Sequence, residues 1–498
     1  MKKSVTIFFV LSFCLSCLSH ARNFAVPKHE YRAVWLTVIE NLDWPSERSA
    51  APFSEAMQKS ELRNILDSLK ALNVNCVMLQ TRVRGDLIYP SRLEPFSHLF
   101  TGTAGQSPGY DPLAFAIEEC HKRGMQLHAW VVTLPLGKDE HVAMLGEKAL
   151  PRRDRALCTH YGGAWYMEPG NPATSPYITE IVREIVSNYD IDGIHLDYVR
   201  YPDKTDGYPD SKLYRKYGGG LSLAQWRRSN ITRIVKDVHT CVKSIKPWVR
   251  VSCAPLGKYD SLTRYSSMGW DALNTCYQEA QEWLKEGVMD ILFPMLYFKG
   301  NHFYPFVRDW QENAFGRHVV PGVGIYRLLP EYGGWDKSEI SRQLFTSRAA
   351  GCAGTAVFRS SHLTGNASGV CDVYSLVYRY PALVPPMTWH GSSVEPPCGL
   401  AVEPVEHGYR IRWNGVEPAS GLPAVRYNVY VCYGDSVDTG DPKNLLSVMQ
   451  DGTVYEWHCR KAPQVTFAVT AVDAYGVESE PVEACCSMNA LQRKLLLP

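Results

Sequence analysis

The sequence has almost no net charge: 52 Lys and Arg against 51 Asp and Glu leave +1 over 498 residues. That balance excludes a global pull toward nucleic acid or a membrane surface. Long apolar runs are also scarce. Residues 5–18 form one, behind Lys2 and Lys3 and ahead of the small-x-small triplet Ser19-His20-Ala21. It is shorter than the roughly 20 residues a spanning helix needs, so it reads as an export signal over 1–21. Cys17 offers an alternative reading as a lipidated first residue, that is, a lipid anchor. No other stretch is long enough for a transmembrane segment. Export places the mature chain in the periplasm or at the cell surface.

Metal-like cysteine spacing is missing too. Beyond Cys14 and Cys17 there is no C-x-x-C, and Cys485 and Cys486 are adjacent. No zinc site and no disulfide framework can be read from this, and most of the cysteines read as small buried residues. A G-x-G-x-x-G turn after the first strand is absent, which disfavours an open dinucleotide-binding sheet.

What is present is ordinary globular composition, 45% apolar and 21% charged, with 13 Trp and 28 Tyr. Flat amphipathic rings suit sugars, although a large barrel also accumulates them in its core. From 31 to 385, short apolar runs alternate with helix-length amphipathic segments. Strands are predicted over 32–39, 75–83, 126–133, 193–198, 250–255, 290–297, 319–325 and 354–358. Helices are predicted over 55–72, 112–123, 178–189, 222–244, 273–286 and 338–350. Repeated β–α units imply a parallel sheet covered by helices, and eight of them close most simply into a (β/α)8 TIM barrel. A Pro-punctuated linker over 386–398 follows. Period-two alternation then predicts an all-β sandwich over 399–488, with strands at 408–413, 426–432, 454–459 and 464–471 and a last one emerging from 472–479. The module resembles a fibronectin type III domain, which implies spacing, docking or weak glycan contact rather than catalysis.

Barrel active sites gather at the C-terminal strand ends. There the sequence places the carboxylates Glu40, Asp43, Asp86 and Asp197 and the arginines Arg82, Arg84, Arg200 and Arg359. The aromatics Trp44, Tyr89, Trp130, Tyr198 and Tyr297 join them. Glycoside hydrolysis needs an acid for the leaving oxygen and a second carboxylate as nucleophile or base. Arginines keep one carboxylate ionised, a dry site keeps another protonated, and aromatics supply sugar platforms. The set calls for no metal and no organic cofactor; the partner it implies is a polysaccharide. Asp197 is the leading catalytic residue. Alternation turns it and His195 toward the barrel mouth, whereas Asp192 sits below and reads as structural. The simpler alternative for Asp197 is an ion pair with Arg200. Its carboxylate partner stays open among Asp86, Asp43, Glu40 and Glu168. No Glu directly follows the fifth, sixth or seventh strand, so a strand-four and strand-seven glutamate pair is absent.

Four ordered motifs carry a family resemblance: RAVWLT (32–37) with NLDWPS (41–46), QTRVRGD (80–86) with YPS (89–91), PGNP (169–172), and DGIHLDYVRYP (192–202). Over about 31–380 the chain resembles glycosyl hydrolase-like family ten. The resemblance implies a barrel glycosidase with Asp43, Asp86 and Asp197 as its carboxylates. It also brings in relatives that act on peptidoglycan glycan strands stripped of peptides. The strand-four segment is similar in form to the chitinase D-G-x-D-x-D-x-E, but Val199 stands at the Glu position, so that mechanism does not transfer whole. It is also similar to the amylase-type strand whose Asp is a nucleophile, with His195 in place of the arginine. The expected activity is therefore O-glycosyl hydrolysis, on peptidoglycan glycan or on a dietary, host or capsular glycan. A non-catalytic glycan-binding barrel is the alternative.

Overall fold

The structure, a computed structural model, describes residues 26–459 and 464–487. The export signal read at 1–21 and Cys17 lie outside the described residues. No helix among the described residues is long and apolar enough to cross a membrane.

Eight strands form one parallel sheet: β1 (Tyr31–Leu36), β2 (Cys76–Arg82), β3 (Gln126–Val132), β4 (Gly193–Asp197), β5 (Arg250–Cys253), β6 (Ile291–Leu292), β7 (His318–Val319 and Gly322–Gly324) and β8 (Gly354–Phe358). The first stretch of β7 pairs with β6 and the second with β8, while β8 returns to β1 with Tyr31 opposite Gly354. The sheet therefore closes on itself as a (β/α)8 barrel. The break in β7 falls around Pro321, which has no N–H to give the ladder. Pro255 and Pro294 likewise stand just past β5 and β6, which are shorter than the apolar runs suggested.

Eight helices follow the strands in turn: α1 (Glu55–Ala71), α2 (Pro112–His121), α3 (Thr174–Asn188), α4 (Leu223–Ile245), α5 (Ala280–Lys285), α6 (Tyr304–Glu312), α7 (Lys337–Ala349) and α8 (Cys371–Val377). In α3, Ile178, Ile181, Val182 and Ile185 form a buried stripe at helical spacing. Asp111 caps α2 by accepting from Ala114 N at 3.0 Å, and a Ser222–Gln225 capping box starts α4.

Strand alternation divides the core in two. Tyr31, Ala33 and Trp35 face the barrel interior with Met78, Trp130 and Phe293. Val34 and Leu36 face outward with Val77 and Leu79, against the helices. Burial of each such large side chain stabilises the fold by about 1.5–3 kcal/mol. Between β3 and α3 lies an excursion that periodicity did not predict. Its segments Pro135–Lys138, Cys158–Tyr161 and Ala164–Met167 form a small antiparallel sheet over the mouth.

The C-terminal module has seven strands: β9 (Cys398–Val405), β10 (Gly408–Asn414), β11 (Arg426–Cys432), β12 (Leu445–Gln450), β13 (Val454–His458), β14 (Gln464–Val472) and β15 (Val482–Ser487). They form two antiparallel sheets, β9-β10-β13 and β12-β11-β14-β15. Tyr409, Ile411 and Trp413 of one sheet share a core with Tyr427, Val429, Phe467 and Val469 of the other, so the sheets pack face to face. The segment 472–479, expected to lead into the last strand, makes a turn ahead of it. Asp473 Oδ1 accepts from Tyr475 N and Val477 N there, and β15 follows it. The sandwich sits against the bottom of the barrel. Lys28 pairs with Glu478 at 2.5 Å, and Arg426 Nη2 lies 3.4 Å from His121 Nδ1.

Candidate functional site

Asp197 ends β4 and retains 5% of its surface. Its Oδ2 accepts from Trp130 Nε1 at 3.1 Å and its Oδ1 from Tyr198 N at 2.7 Å. Burial raises its pKa above the ordinary carboxylate value. Arg200, the Tyr198 amide, Arg84 and Trp130 pull the other way without cancelling that effect. Two residues earlier, His195 is fully buried. Its Nε2 accepts from Trp35 Nε1 at 3.1 Å, which leaves the ring proton on Nδ1, 3.0 Å from Ser252 Oγ. Burial holds its pKa well below normal, so a neutral ring fills the barrel interior beneath Asp197.

Tyr198 follows with φ 52, a left-handed backbone that turns its ring into the mouth. Arg200 and Arg84 lie over that ring at 4.6 and 5.3 Å. Arg200 also pairs with Asp203. Tyr297 is half-buried, and its phenol is pushed well above its ordinary pKa, first by burial and then by the nearby Asp197 carboxylate. Its ring packs beside Trp35 and Phe358. A groove of about 530 Å³ opens at this mouth, with Glu40, Arg84, His141, Trp165, Tyr166 and Tyr198 in its walls.

The other carboxylates differ sharply in their surroundings. Asp86 is fully buried and accepts from Arg84 N at 2.8 Å, with His141 Nε2 3.6 Å away. Burial acts to raise its pKa, but His141, Ser97 and the Arg84 amide hold it below the usual value. Asp43 is surrounded by four donors: Thr37 N, Thr37 Oγ1, Ser361 N and, at 2.5 Å, Arg359 Nη1. It locks the exit of β1 to that of β8. Glu168 accepts from Thr159 Oγ1 and Gly170 N, and burial raises its pKa. Glu40 alone among these four is exposed, on a left-handed backbone with φ 54. Gln80 shapes that exit, accepting from Val38 N at 2.9 Å and Ile39 N at 2.8 Å. Below the barrel, burial works to raise the pKa of Asp192, yet His121 and the Leu127 amide hold it at about 2, in a structural role.

Asp197, Trp130, Tyr198, Arg84, Arg200 and Tyr297 come together at the mouth. Of the expected substrate contacts only Arg84 and Tyr198 line the groove itself, and three of the others are packed wholly out of reach. Trp44 is fully buried, donates to Gln58 O at 2.8 Å and packs on Phe100. Tyr89 is fully buried against Tyr189. Arg82 is fully buried and pairs with Glu94 at 2.6 Å, while its Nη1 donates to Val132 O and Thr133 O. The cause is a bulge: the β2–β3 register slips between Gln80 and Arg82, so Thr81 is an extra residue and alternation fails there. Sequence reasoning missed His141, Trp165 and Tyr166. They belong to the excursion after β3, whose short segments carry no clear period.

The model of the glycosyl hydrolase-like 10 family matches residues 30–328. The chain belongs to that family. Glycosyl hydrolase YngK of Bacillus subtilis is 32% identical over 380 residues, which is 72% of this chain and 74% of that protein. Glycosyl hydrolase DigH of Escherichia coli is 32% identical over 287 residues, 54% of this chain and 65% of the relative. Among solved structures, the PgaB (BpsB) glycoside hydrolase domain from Bordetella bronchiseptica aligns at TM-score 0.49 and 14% identity, over 70% of this chain and 99% of that one. Membership of the glycosyl hydrolase-like 10 family gives the chain a glycosidase or glycan-binding role, with a glycan as its ligand.

Proposed function

We propose that this protein is an exported glycoside hydrolase acting on the glycan strands of peptidoglycan, with Asp197 as its acid. The observation that carries this reading is the state of Asp197 at the end of β4. Its carboxyl is nearly dry, raised in pKa and held by a donor on each oxygen. A carboxyl whose burial favours the protonated form is suited to give a proton to a departing glycosidic oxygen. The bond from that oxygen to the anomeric carbon breaks as the proton arrives. Glu40, the exposed carboxylate of the groove, then acts on the opposite side as base or nucleophile. Their separation in the complex with glycan sets the stereochemical outcome.

Asp86 and Asp43 serve this chemistry as positioning residues. Asp86 holds the Arg84 turn, and Asp43 holds Arg359 and the β8 exit. Tyr198, Tyr297 and Trp165 offer ring faces for sugars. The apolar run behind Lys2 and Lys3 supports export, which delivers the chain to where cell-wall glycan lies.

The test is product analysis by mass spectrometry on peptide-free glycan strands. Wild-type protein should release oligosaccharides. Asp197→Asn should lose that activity by about a thousandfold while its unfolding stays cooperative. Undiminished release by Asp197→Asn overturns the assignment, and binding without cleavage by the wild type makes the barrel a glycan-binding protein.

A further inference from the structure

Three arginines stand on the barrel rim, and two of them have carboxylate partners. Arg359 pairs with Asp43 and Arg200 with Asp203. Arg84 has no ion pair among the described residues, and its Nη1 is buried without a hydrogen-bond partner. Its main chain is nonetheless clamped on both sides. Its N–H donates to Asp86 Oδ1 at 2.8 Å, and its C=O accepts from His141 Nε2 at 3.0 Å. Gly85 follows at φ +79, a conformation that costs other residues strain, and a Cβ there would meet Leu136 Cδ2 at 3.0 Å. A buried carboxylate, a histidine and a left-handed glycine thus fix the Arg84 main chain, and its side chain lines the groove wall.

An unpaired buried donor costs roughly 1–3 kcal/mol, and a charged one more. The planar N–H fork of arginine matches a carboxylate, which it binds in a bidentate fashion. The same wall carries Tyr198 and Tyr166, which supply apolar and hydroxyl contact to a sugar ring on either side of such a group.

We propose that Arg84 is a receptor for a carboxylate carried by the sugar in the groove, so that the preferred ligand is an acidic glycan. This rests on the glycan-processing reading above and names the feature of the glycan that the site selects. Arg84 is a specificity-determining residue in this view, and the Asp86–His141 clamp is what keeps it poised.

The experiment uses the full chain and two probes: peptide-free peptidoglycan glycan strands, and the same strands with their carboxylates capped as methylamides. Binding is measured by calorimetry on the Asp197→Asn protein, with and without Arg84→Gln. The Asp197→Asn protein should bind uncapped strands at least about tenfold more tightly than capped ones. Adding Arg84→Gln should reduce both to the capped affinity, and Arg84→Lys should restore part of the preference. Equal affinity for both probes, survival of the preference in Arg84→Gln, or binding of neither probe overturns the proposal. Cleavage by the wild type is scored separately. Equal cleavage of capped and uncapped strands removes the carboxylate receptor and leaves the hydrolase standing. A binding preference without cleavage does the reverse.

Discussion

Trp130 and Asp197 are joined across neighbouring strands by an indole N–H that donates to Oδ2 at 3.1 Å. The donor favours the ionised carboxylate, whereas burial favours the protonated one, and burial wins. Trp130→Phe keeps the ring and removes the donor. The pKa of Asp197 should then rise further, and with it the alkaline limb of kcat/KM against pH. Loss of one such bond is worth about 1 kcal/mol, so the limb should move by something under one pH unit. A limb that stays in place or moves down would show that Asp197 does not govern it.

Asp197 also bears on stability. Its pKa in the folded chain exceeds the unfolded value, so the folded state holds the proton more tightly between the two. Stability therefore falls as pH rises through that window, and the deficit persists at neutral pH. Asp197→Asn removes the charge, so it should unfold at a higher temperature than wild type at pH 7, by roughly 1 °C or more. The gain should vanish at pH 3. Thermal unfolding of both proteins across this range measures it.

Asp43 accepts four donors, one of them the Arg359 guanidinium. Asp43→Ala should cost about 2–4 kcal/mol, because it strands a largely buried cation and two backbone N–H groups. Urea denaturation reads the loss, and limited proteolysis should reveal cutting near Arg359. Unchanged stability with abolished turnover would instead place Asp43 among the reacting groups.

Glu478 is the hub that fastens the sandwich to Lys28, and it also accepts from Tyr430, Thr470 and Asn428. Burial raises its pKa, but Lys28 and these donors more than offset it, and the net shift is downward. A depressed carboxylate stabilises the fold above its unfolded pKa, and that contribution is lost as pH falls through the folded value. Glu478→Gln should therefore be clearly less stable than wild type at pH 7 and nearly equal to it at pH 3. Denaturant midpoints at the two pH values test this.

The barrel was legible because its strands alternate cleanly between two apolar layers. Tyr31, Ala33 and Trp35 point inward, and Val34 and Leu36 outward. Asp197 was legible for the same reason, being two residues beyond the inward-facing His195. Reading failed where the backbone departs from its period. The extra residue Thr81 turns Arg82 away from the mouth and into a pair with Glu94. Trp44 looked like a sugar platform because it stands just past a strand end, but the turn folds it under α1 against Phe100. Helix α6 escaped notice because its nine residues begin Tyr-Pro and bury only Phe306, Val307 and Trp310. The groove residues Trp165 and Tyr166 depend on a small sheet whose pairings no local pattern encodes.

The strand that presents Asp197 is anchored at its other end by the sandwich. Asp192, just before β4, accepts from His121 Nε2 at 2.9 Å and Leu127 N at 2.8 Å, and Arg426 of β11 lies against that same histidine. The C-terminal module thus braces the floor beneath Asp197. A protein cut at residue 385 would lose Arg426 and Glu478 together and open the barrel floor to water. With Asp197 proposed as the acid, exchanging or trimming this module is expected to act on that carboxylate from below, without changing a residue of the groove wall.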